Sequence, residues 1–254
     1  MLRILILVAL WAIPMAAAQR SSILIGVDDG ARVRPLARVD GRAWSPTCDA
    51  PPRGPSRGTL QRPIVAVGGE ATVEAIQYVP RGGVAWRQIE PMVQRIFQVQ
   101  ERLQNVSLNV LVGIPTDVES IATSVEPATR PIYYFTASKM IPNRPGLVAN
   151  VDGENDPQGD LRIDVVGWVR AGAAGMADKN LALGSNTTLT WEQVDRPLRN
   201  AARRTQLLPL GIVRIGDAGV WVMQGRTGES TWFSLYDVGI GGVRMVARSD
   251  PQQC

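Results

Sequence analysis

The sequence predicts a mainly β protein, built of antiparallel sheets in a sandwich or an open barrel, with one α-helix inserted among the strands. Three observations predict it. Glycine and proline, 25 and 18 residues, punctuate short runs rich in β-branched residues, as turns punctuate strands. The last third of the chain carries four alternating runs in succession. One segment stands out for a 3.6-residue apolar spacing.

Taken in order, residues 23–27 are apolar and β-branched, stopped by Asp28, Asp29 and Gly30, and the run 33–39 follows, stopped by Asp40 and Gly41. An Asp-Gly pair between such runs signals a hairpin. Residues 49–58, with three prolines and two glycines, read as loop. Residues 64–67 and 71–79 read as a strand pair around Gly68 and Gly69. The helix is expected over 91–104: Ile89, Met92, Val93, Ile96, Phe97 and Leu103 share one face, and Pro91 suits a first helical turn. A strand is expected at 108–114 and a second short helix at 118–125, capped by Thr116 or Asp117. Residues 132–135 and 161–170 read as strands, the latter with Leu161, Ile163 and Val165 on one face. The four final runs, 211–215, 220–224, 231–238 and 243–248, predict an antiparallel meander over about 210–249, with Trp232, Ser234 and Tyr236 opposite Phe233 and Leu235. Val33 to Asp40 and Val243 to Asp250 both fit Val-Arg-x-x-Ala-Arg-x-Asp. The echo raises a propeller-like repeat as the alternative fold, or two similar hairpins side by side.

The first residues read as an address rather than as fold. Arg3 precedes an apolar run at 4–13, and Ala16, Ala17 and Ala18 end it before Gln19. Charge, apolar core and an Ala-x-Ala end are the parts of a cleavable signal peptide, here 1–18. The run is short of the ~20 apolar residues that span a bilayer. Residues 19–254 are then one β-rich domain, secreted or periplasmic, with no membrane span after cleavage. In an oxidising compartment Cys48 and Cys254, the two cysteines, are expected to form a disulfide, closing a loop long enough to stabilise by up to roughly 5 kcal/mol.

Composition excludes more chemistry than motifs suggest. The chain has no histidine, which removes Ser-His-Asp and Cys-His catalysis and histidine-ligated metals. No phosphate-cradling glycine loop occurs, and no cofactor is implied. All but two of the 27 basic residues are arginine, the exceptions being Lys139 and Lys179, and the net charge is +4. The arginines are scattered, and the densest spot, Arg199, Arg203 and Arg204, lacks interleaved aromatics, so no nucleic acid is expected as partner. Arginine dominance and the signal read as bacterial.

Carboxylate chemistry survives: Glu192 beside Trp191, Glu229 near Trp232 and Asp237 beside Tyr236 are the acids a glycosidase could use. The bland alternative, turn and edge acids paired with arginine, is preferred. Asp152, Glu154, Asp156 and Asp160 offer alternating oxygens, but Pro157 and Ile163 stand where a calcium loop wants Gly and Glu, so the segment reads as a polar connector. Trp191 and Trp232 are the tryptophans expected on a binding surface. The chain is thus expected to be a non-catalytic binding or structural module of the cell envelope or extracellular space, its partner an envelope protein or a glycan. The alternative is a carboxylate-dependent carbohydrate-active hydrolase.

Overall fold

The computed structural model describes residues 23–28, 33–40, 43–46, 64–67, 71–103, 113–125, 130–142, 160–172, 181–192, 204–216, 218–227 and 230–249. β1 (Ile23–Asp28), β2 (Val33–Asp40), β3 (Ala43–Pro46) and β4 (Ile64–Val67) form an N-terminal sheet in the order β3–β2–β1–β4. The short strands β5 (Thr72–Glu74) and β6 (Ile76–Tyr78) follow, then the helix α1 (Val84–Leu103). β7 (Asp117–Ser124), β8 (Ile132–Ile141), β9 (Asp160–Arg170) and β10 (Leu181–Glu192) join β6 in a helix-side sheet, order β10–β9–β8–β7–β6. β11 (Gln206–Ile215), β12 (Ala218–Thr227), β13 (Ser230–Gly239) and β14 (Gly242–Ser249) make the expected meander, with β5 on its edge as a fifth strand. The pairings are antiparallel.

Three buried clusters stack these elements into layers. On one face of the helix-side sheet, Trp86, Ile89, Val93, Ile96 and Phe97 of α1 pack with Phe135, Ile141, Leu161, Ile163 and Val165. On its other face, Tyr134 and Trp168 meet Ile212, Trp221, Met223 and Val238 of the meander. The meander's far face buries Val213, Val220, Val222, Phe233 and Leu235 against Ile25, Leu36, Val39 and Ile64 of the N-terminal sheet. Each such side chain contributes about 1.5–3 kcal/mol. The order is helix, helix-side sheet, meander, N-terminal sheet. This is the sandwich form of the expectation; among the described residues no closed barrel forms, and the propeller alternative is not supported.

The two echoed segments are β2 and β14, which lie in different sheets but pack together. Their matching alanines, Ala37 and Ala247, are buried in one core. Between α1 and the sheet, Lys139 Nζ lies 2.5 Å from Glu101 Oε1, each side chain only 5% exposed, and 5.6 Å from the centre of the Phe97 ring. Thr187 Oγ1 donates to Gln100 Oε1 at 2.9 Å. Both contacts fix how the helix sits along the sheet.

Four expectations need correction. Pro91 lies inside α1, not in its first turn. The helix starts earlier because the Gly83 amide donates to the Pro80 carbonyl and the Arg87 amide to Gly83, each at 3.0 Å. An interior proline costs about 3 kcal/mol, offset here by burial of Trp86 and Ile89 in the first turns. The segment expected as a second helix is strand β7. A bulge between Val118 and Ser120 breaks its alternation, so Val118 and Ile121, three apart, face the same core and mimic helical spacing. The run 71–79 does not pair with 64–67. β4 pairs with β1, β5 with β11 and β6 with β7, so the chain changes sheets at Ala75. β10 had no counterpart among the expected strands: Gly184, Ser185, Asn186, Thr187 and Thr188 dilute its apolar pattern, as suits a sheet edge. The strand expected at 108–114 falls largely outside the described residues, as do residues 1–18, Cys48 and Cys254.

Candidate functional site

The helix-side sheet and the meander are each covered on both faces, so polar groups pointing into the layer between them must find partners there. The middle of that layer is aromatic. Trp168 lies with ring centres 5.2 Å from Tyr134, 5.0 Å from Tyr236 and 6.3 Å from Trp221. Tyr134 Oη donates to the Leu207 carbonyl at 2.6 Å. Burial pushes the Tyr134 phenol well above its ordinary value, reinforced by Tyr78, Tyr236 and Glu119. It therefore stays a neutral donor.

At one end of this aromatic plug is a cavity of about 400 Å³. Its helix-side wall carries Glu119, Ser120, Thr136, Arg162 and Asp164; β11 and the residues before it supply Arg204, Thr205 and Gln206, and Tyr78 stands at the rim. Strand geometry explains the wall. Along β9, Leu161, Ile163 and Val165 face the helix, so Arg162 and Asp164 face the cavity. On β7 the bulge puts Glu119 and Ser120 on the same side, both into the cavity.

These residues form one connected network. Arg162 Nε donates to Asp164 Oδ1 at 2.8 Å, and Arg162 Nη2 also donates to Glu119. Ser138 Oγ donates to the same Glu119 oxygen at 2.7 Å. Ser120 and Thr136 share a hydroxyl–hydroxyl bond of 2.7 Å. Burial alone would make Arg162 easier to deprotonate, yet Asp164 and Glu119 hold it above its ordinary value. For Asp164 burial wins: its carboxyl is raised despite Arg162, with Glu119 adding to the rise and Arg204 opposing it.

At the other end of the layer, Glu74 of β5 joins the two sheets. Arg214 Nε and Nη2 donate to its two oxygens at 2.6 and 3.2 Å, and Ser124 Oγ donates at 2.6 Å. Burial pushes the Glu74 carboxyl up, but the bonds from Arg214 and Ser124 and the Arg214 charge outweigh it, leaving it below its ordinary value.

The acids and tryptophans singled out in the sequence lie elsewhere. Asp237 follows Phe233 and Leu235 on the face of β13 turned toward the N-terminal sheet, 3.4 Å from Arg244. Glu192 and Trp191 close β10 opposite Asp160 and Leu161, and their side chains are outside the described residues, as is all of Glu229. Trp232 is half-buried. A Cβ on Gly225 would overlap its indole, so the ring lies on that glycine, with the Arg248 guanidinium 4.8 Å from its centre on β14. Asp160 begins β9, while Asp152, Glu154 and Asp156 are outside the described residues.

Sequence reasoning missed Glu119, Arg162 and Asp164, although one signal was present. β9 had an apolar face, and its other face held two opposite charges at i and i+2 where a central strand should be covered. Comparison with protein-family models, with curated proteins and with solved structures finds no match to this chain.

Proposed function

We propose that the protein is an exported, non-catalytic binding module of the cell envelope or extracellular space, and that the larger cavity takes a short stretch of glycan. The observation that carries the reading is the make-up of one wall: two carboxylates joined through one guanidinium beside a row of hydroxyls. Such a wall offers paired donors and acceptors to sugar hydroxyls in fixed directions, while Tyr78, 44% exposed, offers a ring face to sugar C–H surface. Catalysis fits less well. A glycosidase sets its acids on either side of the scissile bond. Glu119 and Asp164 sit on one sheet, and Arg162 engages both.

A second reading, a carboxylate-dependent hydrolase of glycans, is favoured by one observation. Asp164 holds its proton more tightly than an ordinary carboxyl, as a general acid must. Saturation-transfer NMR and a reducing-end assay separate the two. The binding reading expects saturation transfer from the protein to envelope oligosaccharides without new reducing ends, and weaker transfer in Gln206→Ala. The hydrolase expects new reducing ends that vanish in Asp164→Asn. If neutral, amino-sugar and uronic-acid oligosaccharides all give no transfer at millimolar concentration, both readings fail.

Export rests on the charge, apolar run and alanine site of residues 1–18. Mature protein from the native host should begin at Gln19 and carry a Cys48–Cys254 bond. Protein that begins at Met1 with two thiols open to alkylation would overturn both statements.

A further inference from the structure

The glycan reading leaves the other end of the inter-sheet layer unused. There a cavity of about 150 Å³ is lined by Arg130 and Arg214 together with Ile212, Trp221 and Val238. Among the described residues no carboxylate lines it. Glu74 takes the Nε and Nη2 hydrogens of Arg214, which leaves Nη1 for another acceptor. Arg214 pairs with Gly219 across the ladder, and a Cβ on Gly219 would lie 2.7 Å from Nη1. The missing side chain is therefore what lets the guanidinium lie against β12, at the cavity wall. Arg130 makes no hydrogen bond or ion pair with any described residue. The cavity thus faces two cations, of which one is neutralised by Glu74, above an apolar floor that strengthens charge interactions.

We propose that this cavity binds a small carboxylate carrying a compact apolar group, with the carboxylate between Arg130 and Arg214 and the apolar group on Ile212, Trp221 and Val238. A cavity of this size holds about one benzene ring, and a carboxylate is the planar two-oxygen group that a guanidinium edge matches.

Benzoate is the direct probe, titrated into the full chain by calorimetry beside inorganic phosphate and benzyl alcohol. Benzoate should bind at least about tenfold more tightly than either, since phosphate lacks the apolar group and benzyl alcohol lacks the charge. Arg130→Gln, a change at an exposed side chain, should weaken benzoate by about tenfold without altering the melting temperature. Gly219→Ala should weaken it too, by crowding Nη1. No heat from benzoate at millimolar concentration, equal binding of phosphate, equal binding of benzyl alcohol, or unchanged affinity in Arg130→Gln would each overturn the proposal.

Discussion

The two ends of the layer between the helix-side sheet and the meander use one device in different proportions. At the larger cavity two acids, Glu119 and Asp164, are matched by two arginines, Arg162 bonded to both and Arg204 beside them on the wall. At the smaller cavity one arginine, Arg214, serves one acid, Glu74, and Arg130 stands by. The ratio of acids to arginines sets what each end can hold. The first is hydroxyl-lined and of mixed charge, suited to a polar neutral ligand; the second keeps a net cation over apolar walls. A third pair, Glu101 and Lys139 on the opposite face of the same sheet, is the limiting case: one acid and one base, sealed from water.

The sealed pair should give the largest effect. Lys139→Met leaves Glu101 buried without its cation and should cost about 3–5 kcal/mol by denaturant unfolding. The double variant Glu101→Leu, Lys139→Met should recover most of that loss, because two apolar groups of similar volume replace the pair. Next is Arg162→Met. It strands two acids, but Glu119 keeps about 40% of its side-chain surface in water, so the cost should be nearer 2–3 kcal/mol. Glu74→Gln should cost about 1–2 kcal/mol, since glutamine retains one acceptor for Arg214 and Arg214 is itself 37% exposed. If all three variants cost the same, solvent access does not separate these sites.

The smallest effects differ in sign, which makes them the sharpest test of the comparison. Asp164 is raised in the fold, so the folded state holds its proton longer than the unfolded chain does. Its contribution is most favourable at low pH and is lost as pH rises from the ordinary carboxylate range through its raised value. Glu74 is lowered; its contribution is present above the ordinary range and is lost as pH falls through its lowered value. Unfolding measured across acidic pH should therefore show the stability of Asp164→Asn relative to the parent improving as pH rises. The deficit of Glu74→Gln should shrink as pH falls. Slopes of the same sign in both variants would contradict the distinction between the ends.

How much of this was legible in the sequence depended on whether local pattern and tertiary position agreed. In β12 and β13 they agree: strict alternation sends Val220, Val222, Phe233 and Leu235 to one core and Trp221 to the other, and glycine turns mark the ends. Position φ +58° at Gly216 and +114° at Gly242 explains why glycine stands there. In β7 they disagree, because one inserted residue turns a period of two into an apparent period of three. β10 carries few apolar residues, as an edge strand can, and so left little trace. The cavity acids were hidden for another reason. Alternation on β9 revealed which residues face the helix, but not that a second sheet covers the opposite face. Only the stacking of the meander turns Arg162 and Asp164 from candidates for solvent into the wall of a cavity.

The proposed glycan site is the cavity bounded by Arg162, Asp164 and the start of β11. Backbone amide shifts recorded during titration with an envelope oligosaccharide test it most directly. Perturbations should concentrate on both walls at once, at Ser120, Thr136 and Asp164 on one sheet and at Thr205 and Gln206 on the other, and should fade in Gln206→Ala. Perturbations centred on Trp232 and Arg248 instead, with both walls silent, would contradict it.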